Sequence, residues 1–135
     1  MAAAGGEAVV QAGVYATFDL SNETGKRLTL AEIRTDGAEG RQVFEDDQGR
    51  LWNPHTPYVL EPAGKVRFGI AHYDVPSVSA VFTFVDDAGN VVSFRAKSGP
   101  WGEGICERVE EWQVYRVQCS YPWGGQNTTV KITNL

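Results

Sequence analysis

The sequence predicts an all-β fold, a single-domain antiparallel β-sandwich. Three observations point to it. Apolar and polar residues alternate with period two over short stretches. Clusters of Gly, Pro, Asn, Asp and Ser separate those stretches. No segment sustains a helical period long enough to bury one face of a helix. The clearest alternation runs from Lys65 to Tyr73, where Val66, Phe68 and Ile70 share one face and Lys65 and Arg67 the other.

In chain order, Val14 to Leu20 (VYATFDL) is a first strand, followed by turn chemistry from Ser21 to Lys26, with Gly25 free to take a positive φ. Arg27 to Ile33 (RLTLAEI) turns Leu28 and Leu30 to one side and is expected as the hairpin partner of the first strand. Thr35 to Gly40 is a polar loop, Arg41 to Phe44 a short strand, and Leu51 to Pro57 a proline-rich irregular stretch. Tyr58-Val59-Leu60 leads through the turn Glu61-Pro62-Ala63-Gly64 into the alternating strand from Lys65. Ser77 to Val85 places Val78, Ala80, Phe82 and Phe84 on one face, and Asp86 to Asn90 turns the chain into the return strand Val91 to Ala96. Ile105 to Cys119 is strand-like; the charge spacing of GICERVEEW tolerates a helix, but the aromatic and β-branched residues that follow favour a strand. Thr128 to Leu135 closes the fold. The predicted domain is 14–135, with residues 1–13 as a flexible leader lacking the basic and long apolar regions of a signal peptide.

A chain of 135 residues can bury one core without metal or disulfide support. Its net charge of −5 makes it a poor candidate for binding nucleic acid, and no nucleic-acid partner is expected, because phosphate backbones require clustered Lys and Arg. The same charge argues against docking on anionic lipid by electrostatics alone. No apolar run is long enough for a membrane-spanning helix, so the protein is expected in soluble form, in the cytoplasm or exported without a signal peptide.

Catalytic patterns are missing. There is no nucleophile elbow, phosphate loop or metalloprotease motif, and His55 and His72 stand far apart, so no enzyme activity, metal or cofactor is expected. Phe44-Glu45-Asp46-Asp47 and Phe84-Val85-Asp86-Asp87 echo each other, but both runs lack the further carboxylates of a calcium loop and suit hairpin turns better. Glu107, Glu110 and Glu111 form an acidic cluster, either a solvated face or a partner for a ligand ammonium. Cys106 and Cys119 can close a disulfide if their positions face each other; two buried free thiols fit equally well. Asn22-Glu23-Thr24 and Asn127-Thr128-Thr129 match the glycosylation sequon by chance.

The aromatics carry the functional signal. Phe18, Phe68, Phe82 and Phe84 belong to the core by their alternation, and Trp112 is expected there too, with Tyr115 on the opposite face. Trp52, Trp101 and Trp123 lie in turn-rich stretches. Ser98-Gly99-Pro100-Trp101-Gly102-Glu103-Gly104 is a rigid loop presenting one large ring, nearly repeated at Tyr121-Pro122-Trp123-Gly124. An exposed indole suits the boundary between water and acyl chains, stacks on sugars, and attracts ammonium groups. The residues thus indicate a binding module whose ligand is a lipid headgroup, a sugar or a protein.

Several stretches resemble the aegerolysins, small acidic β-sandwich proteins. The resemblance rests on Ser21-Asn22-Glu23-Thr24-Gly25 with Leu28-Thr29-Leu30, on the hairpin Val81 to Asp86 with Gly89 to Phe94, on Pro100-Trp101-Gly102 after that hairpin, and on Thr128 to Thr133. It implies a protein that binds membrane sphingolipids, such as ceramide phosphoethanolamine or sphingomyelin with cholesterol. It also implies the docking half of a cytolytic or insecticidal toxin whose perforin-like partner forms the pore, and self-association is open. On that match Trp101 is the lipid-contacting residue. Position and charge add Tyr121 and Trp123 as its neighbours, Arg95 or Lys97 for phosphate, and Glu103 or Glu107 for ammonium. The chain departs from the family in having Gly99 where many members have Cys, and Arg95 and Lys97 where fungal members tend to be aromatic. The alternative is a carbohydrate-binding module or lectin, which a planar row of exposed Trp52, Trp101 and Trp123 would favour. A sandwich with no ligand ranks third.

Overall fold

The computed structural model describes residues 14–36, 44, 51–72, 78–99, 101–109, 113–121 and 127–135. The leader, the expected strand before Phe44, Trp112 and Trp123 lie outside these residues. Among the described residues every regular element is a strand: β1 (Val14–Glu23), β2 (Leu28–Asp36), β3 (Tyr58–Leu60), β4 (Lys65–His72), β5 (Val78–Asp86), β6 (Val91–Ser98), β7 (Gly104–Arg108), β8 (Tyr115–Ser120) and β9 (Thr128–Asn134). They form two sheets, of order β4-β1-β9-β8 and β3-β2-β5-β6-β7, packed as a sandwich. No helix among the described residues is long and apolar enough to cross a membrane.

Two expectations about strand pairing are corrected. The strands β1 and β2 are not a hairpin: β1 pairs with β4 and β9, whereas β2 pairs with β3 and β5 in the opposite sheet. Residues 24–27 therefore carry the chain from one sheet to the other. Leu20 and Leu28 on either side of this corner are both fully buried, so each sheet receives an inward apolar face. The sandwich is also not purely antiparallel, because β9 runs parallel to β1, Leu20 opposite Val130 and Asn22 opposite Ile132. A parallel pair needs a long connection, which the first and last strands of a chain possess.

The core follows the alternation read from the sequence. Phe18, Phe68, Phe82 and Phe94 form a continuous series of ring contacts through the sandwich, with successive centroids 5.2, 5.0 and 5.2 Å apart. Each fully buried ring contributes about 1.5–3 kcal/mol of transfer free energy. Ile105 to Cys119 is not one strand but two, β7 and β8, at adjacent edges of opposite sheets. Tyr115 points inward rather than outward and is buried.

The sandwich has two unlike ends. At one, residues 24–27, 61–64 and 87–90 make short turns. There Asn22 is wholly buried: its Nδ2 donates to the carbonyls of Lys26, Leu60 and Glu61, and its Oδ1 accepts from the N–H and hydroxyl of Thr24. This one side chain ties the β1–β2 corner to the β3–β4 turn, and it leaves the Asn22 sequon no accessible amide. Asp86, also buried, accepts from the Tyr115 hydroxyl at 2.5 Å, from the N–H groups of Ala88 and Asn90, and from Asn90 Nδ2. Its carboxylate is thus used within the turn rather than as a metal ligand. The bond from Tyr115, then those from Asn90, hold the Asp86 carboxyl well below the usual carboxylate range. Burial, then the bond to Asp86, pushes the Tyr115 hydroxyl up to about 12. The opposite end carries the longer connections, including the Trp101 loop and the chain after β8.

Candidate functional site: the Trp101 loop and its edge

The loop between β6 and β7 is closed by its own backbone. Gly99 N–H donates to Glu103 O at 2.9 Å, and Gly102 N–H donates to Gly99 O at 3.0 Å. Gly102 takes a φ of 83°, a left-handed angle that a residue with a Cβ resists. Glu103 folds back, and its Oε1 accepts the Trp101 N–H at 2.9 Å. With every one of these groups satisfied, the loop projects the Trp101 side chain outward at 90% exposure. An unpaired large apolar ring so fully in water is unusual for a residue with no contact to make.

The Glu103 carboxylate also accounts for Gly99. A Cβ at that position would lie 2.6 and 2.8 Å from its two oxygens. A larger residue at position 99 would require the Glu103 side chain to leave this position. Glu103 therefore has a structural role that its sequence position did not reveal, and its Oε1 is committed to the loop.

Below the loop, Arg95 and Lys97 lie on the outer face of the five-stranded sheet, opposite Glu107 and Ile105 of β7. Arg95 Nη1 meets Glu107 Oε1 at 3.5 Å, so the two residues expected to meet opposite charges of a headgroup face each other. Lys97 is half-buried one step nearer the loop. The acidic cluster is represented here by Glu107, since Glu110 and Glu111 lie outside the described residues.

Cys106 and Cys119 are joined as a disulfide with Cα atoms 5.9 Å apart, which settles the choice left open by the sequence. The bond links β7 of one sheet to β8 of the other and closes that edge of the sandwich. Tyr121 reinforces it: its hydroxyl donates to Cys106 O at 2.7 Å and accepts from Cys106 N–H at 3.2 Å, while its ring remains exposed. Thr128 Oγ1 donates to Gly104 O at 2.7 Å, fixing the start of β7 to β9. The structure thus gathers Trp101, Lys97, Glu103 and Tyr121 toward one end and one edge.

Trp52 behaves differently from Trp101. It packs on Tyr58 with centroids 4.6 Å apart and on Phe68 at 6.0 Å, and its backbone N–H donates to Arg67 O at 2.7 Å. It closes the β3/β4 edge as a core-facing aromatic, so the planar row of tryptophans that would favour sugar does not include it.

No family model matches the chain, and no curated protein matches it in sequence. Among solved structures it is similar to the RahU protein in complex with a TRIS molecule, at 7% identity and a TM-score of 0.62, over 90% of this chain and 96% of that one. RahU is an aegerolysin-family protein, and at this identity the likeness is one of fold.

Proposed function

We propose that this protein is a membrane-binding module that docks through Trp101 onto sphingolipid-containing bilayers. The observation that carries the reading is the indole projected at 90% exposure from a loop closed by its own hydrogen bonds. Such a ring gains free energy at the boundary between headgroups and acyl chains. Its gain has a ceiling. Burying about 200 Å² of indole at about 25 cal/mol per Å² yields about 5 kcal/mol, comparable to the lower cost of immobilising a protein on a surface. One ring alone therefore holds the protein weakly, and a headgroup contact or a second copy supplies the rest. Lys97 for the phosphate and the exposed Tyr121 ring for the ammonium lie toward the same end and edge; Arg95 serves the same phosphate when its pairing with Glu107 opens. The fold likeness to an aegerolysin-family protein supports the further reading that docking recruits a perforin-like partner, with no chemistry catalysed by this chain.

Liposome sedimentation across lipid classes tests the proposal. Binding to vesicles with ceramide phosphoethanolamine, or with sphingomyelin and cholesterol, and its loss in Trp101→Ala is the expected result. Failure of the wild type to bind any sphingolipid mixture sinks it.

A further inference from the structure

On the outer face of the four-stranded sheet, away from the Trp101 loop, strands β4, β1 and β9 form a groove of about 570 Å³ lined by Asp19, Ser21, Glu23, Lys65, Arg67, Thr129 and Lys131, among others. Its floor is β1 and its walls are the long side chains of β4 and β9. Ser21 sits in register between Lys65 on one side and Lys131 on the other. Neighbouring strands lie about 4.8 Å apart, so the two lysine Cα atoms are about 10 Å apart, and both ammonium groups can close on one tetrahedral anion seated over the Ser21 hydroxyl. Arg67 is engaged with Asp19 at 2.6 Å, and Asn127 also donates to Asp19. The exposed Lys65 and Lys131 make no ion pair among the described residues. Three cations here face two carboxylates in a protein of net charge −5.

A second hollow of about 410 Å³ adjoins the groove and shares Ser21, Glu23 and Lys65 with it, its other walls including Gly25, Pro62 and Ala63. A charged compartment thus opens into one with small apolar walls. We propose that this groove binds a phosphate ester of a small organic group, the phosphate held by Lys65, Lys131 and the Ser21 hydroxyl, and the organic part lying toward Pro62 and Ala63. In its absence the Ser21 hydroxyl donates to Glu23 Oε2 at 3.3 Å. Glu23 is exposed and competes with the ligand for that donor. The site is separate from the Trp101 docking surface and does not depend on it.

NMR titration of the full chain with inorganic phosphate and with phosphoethanolamine tests it. Saturable shifts at Ser21, Lys65, Thr129 and Lys131 are expected, with phosphoethanolamine bound more tightly than phosphate. Lys65→Ala and Lys131→Ala each weaken binding about tenfold, as for loss of one charge-assisted contact; Glu23→Gln tightens the binding of inorganic phosphate, which has no ammonium for the carboxylate to pair. Both lysines are exposed, so these variants fold, and an unchanged Tm confirms it. Shifts that never saturate, or equal binding by the double lysine variant, overturn the proposal. Vesicles displaying phosphoethanolamine lipids identify the source. With Trp101→Ala as the background, so that the loop does not hold the vesicle, vesicle binding that persists and is lost on adding both lysine substitutions marks a lipid headgroup; no vesicle binding with retained binding of soluble phosphoethanolamine marks a free phosphate ester.

Discussion

The two ends of the sandwich solve opposite problems. At the turn end, polar side chains are buried and their hydrogen bonds completed inside the protein, with Asn22 joining two turns and Asp86 joining a turn to Tyr115 of the other sheet. At the loop end a large apolar ring is held in water, and the chain beneath it is fixed by a disulfide, a tyrosine hydroxyl and a threonine hydroxyl. The first arrangement makes sense only as stability. The second places hydrophobic area where stability does not use it, which is why the proposed docking surface is assigned to the loop end.

Substitutions can break this division of labour. The largest stability loss is expected from Asn22→Ala, which removes a donor from the carbonyls of Leu60, Lys26 and Glu61 and leaves the Thr24 N–H without its acceptor at a buried corner; about 3–5 kcal/mol is expected. Thermal unfolding checks it, and lipid binding per folded molecule should not change. Removing the disulfide with Cys106→Ser/Cys119→Ser releases a loop of 13-residue separation and should cost about 3 kcal/mol. Unlike Asn22→Ala, it should also weaken lipid binding, because β7 anchors the Trp101 loop.

Tyr115→Phe removes one charge-assisted hydrogen bond and should cost about 2 kcal/mol near neutral pH. Its pH dependence has a defined sign. The Tyr115 contribution is fully present below the unfolded tyrosine value of about 10 and is lost as pH rises toward about 12. The Asp86 contribution is present above the unfolded carboxylate value of about 4 and is lost as pH falls through its depressed folded value. Denaturant midpoints measured across pH should show the alkaline loss in the wild type and not in Tyr115→Phe. The smallest stability effect is expected for Trp101→Ala, within about 0.5 kcal/mol, since the ring touches little. A large drop in Tm would show that Trp101 is a packing residue and would erase the contrast between the ends.

Much of the core was legible because period two maps directly onto two faces. Val66, Phe68 and Ile70 lie on the side their alternation assigned, as do Phe82 and Phe84. The exposure of Trp101 was likewise readable from its Gly and Pro flanks. Glu103 was not read as a loop cap, although an acidic side chain two residues after a turn position is a local signal of one. The alternation assigns Tyr115 to the outer face only if Trp112 and Tyr115 share a strand, and β8 begins at Tyr115. The break between β7 and β8 moves the chain from one sheet to the other and resets the alternation.

Local chemistry alone determined that this chain forms short strands, that its turns fall at the Gly, Pro and Asp clusters, and that Trp101 sits in a turn able to present its ring. These follow from steric limits on backbone angles and from side-chain period, which act within a few residues. Which strands pair was decided by tertiary structure: β1 beside β9 in parallel, β1 and β2 in different sheets, Cys106 bonded to Cys119, Tyr115 bonded to Asp86, and Lys65 and Lys131 flanking Ser21. Those contacts join residues far apart in sequence, and they are selected by burial of the apolar faces and by the requirement that each buried polar group find a partner.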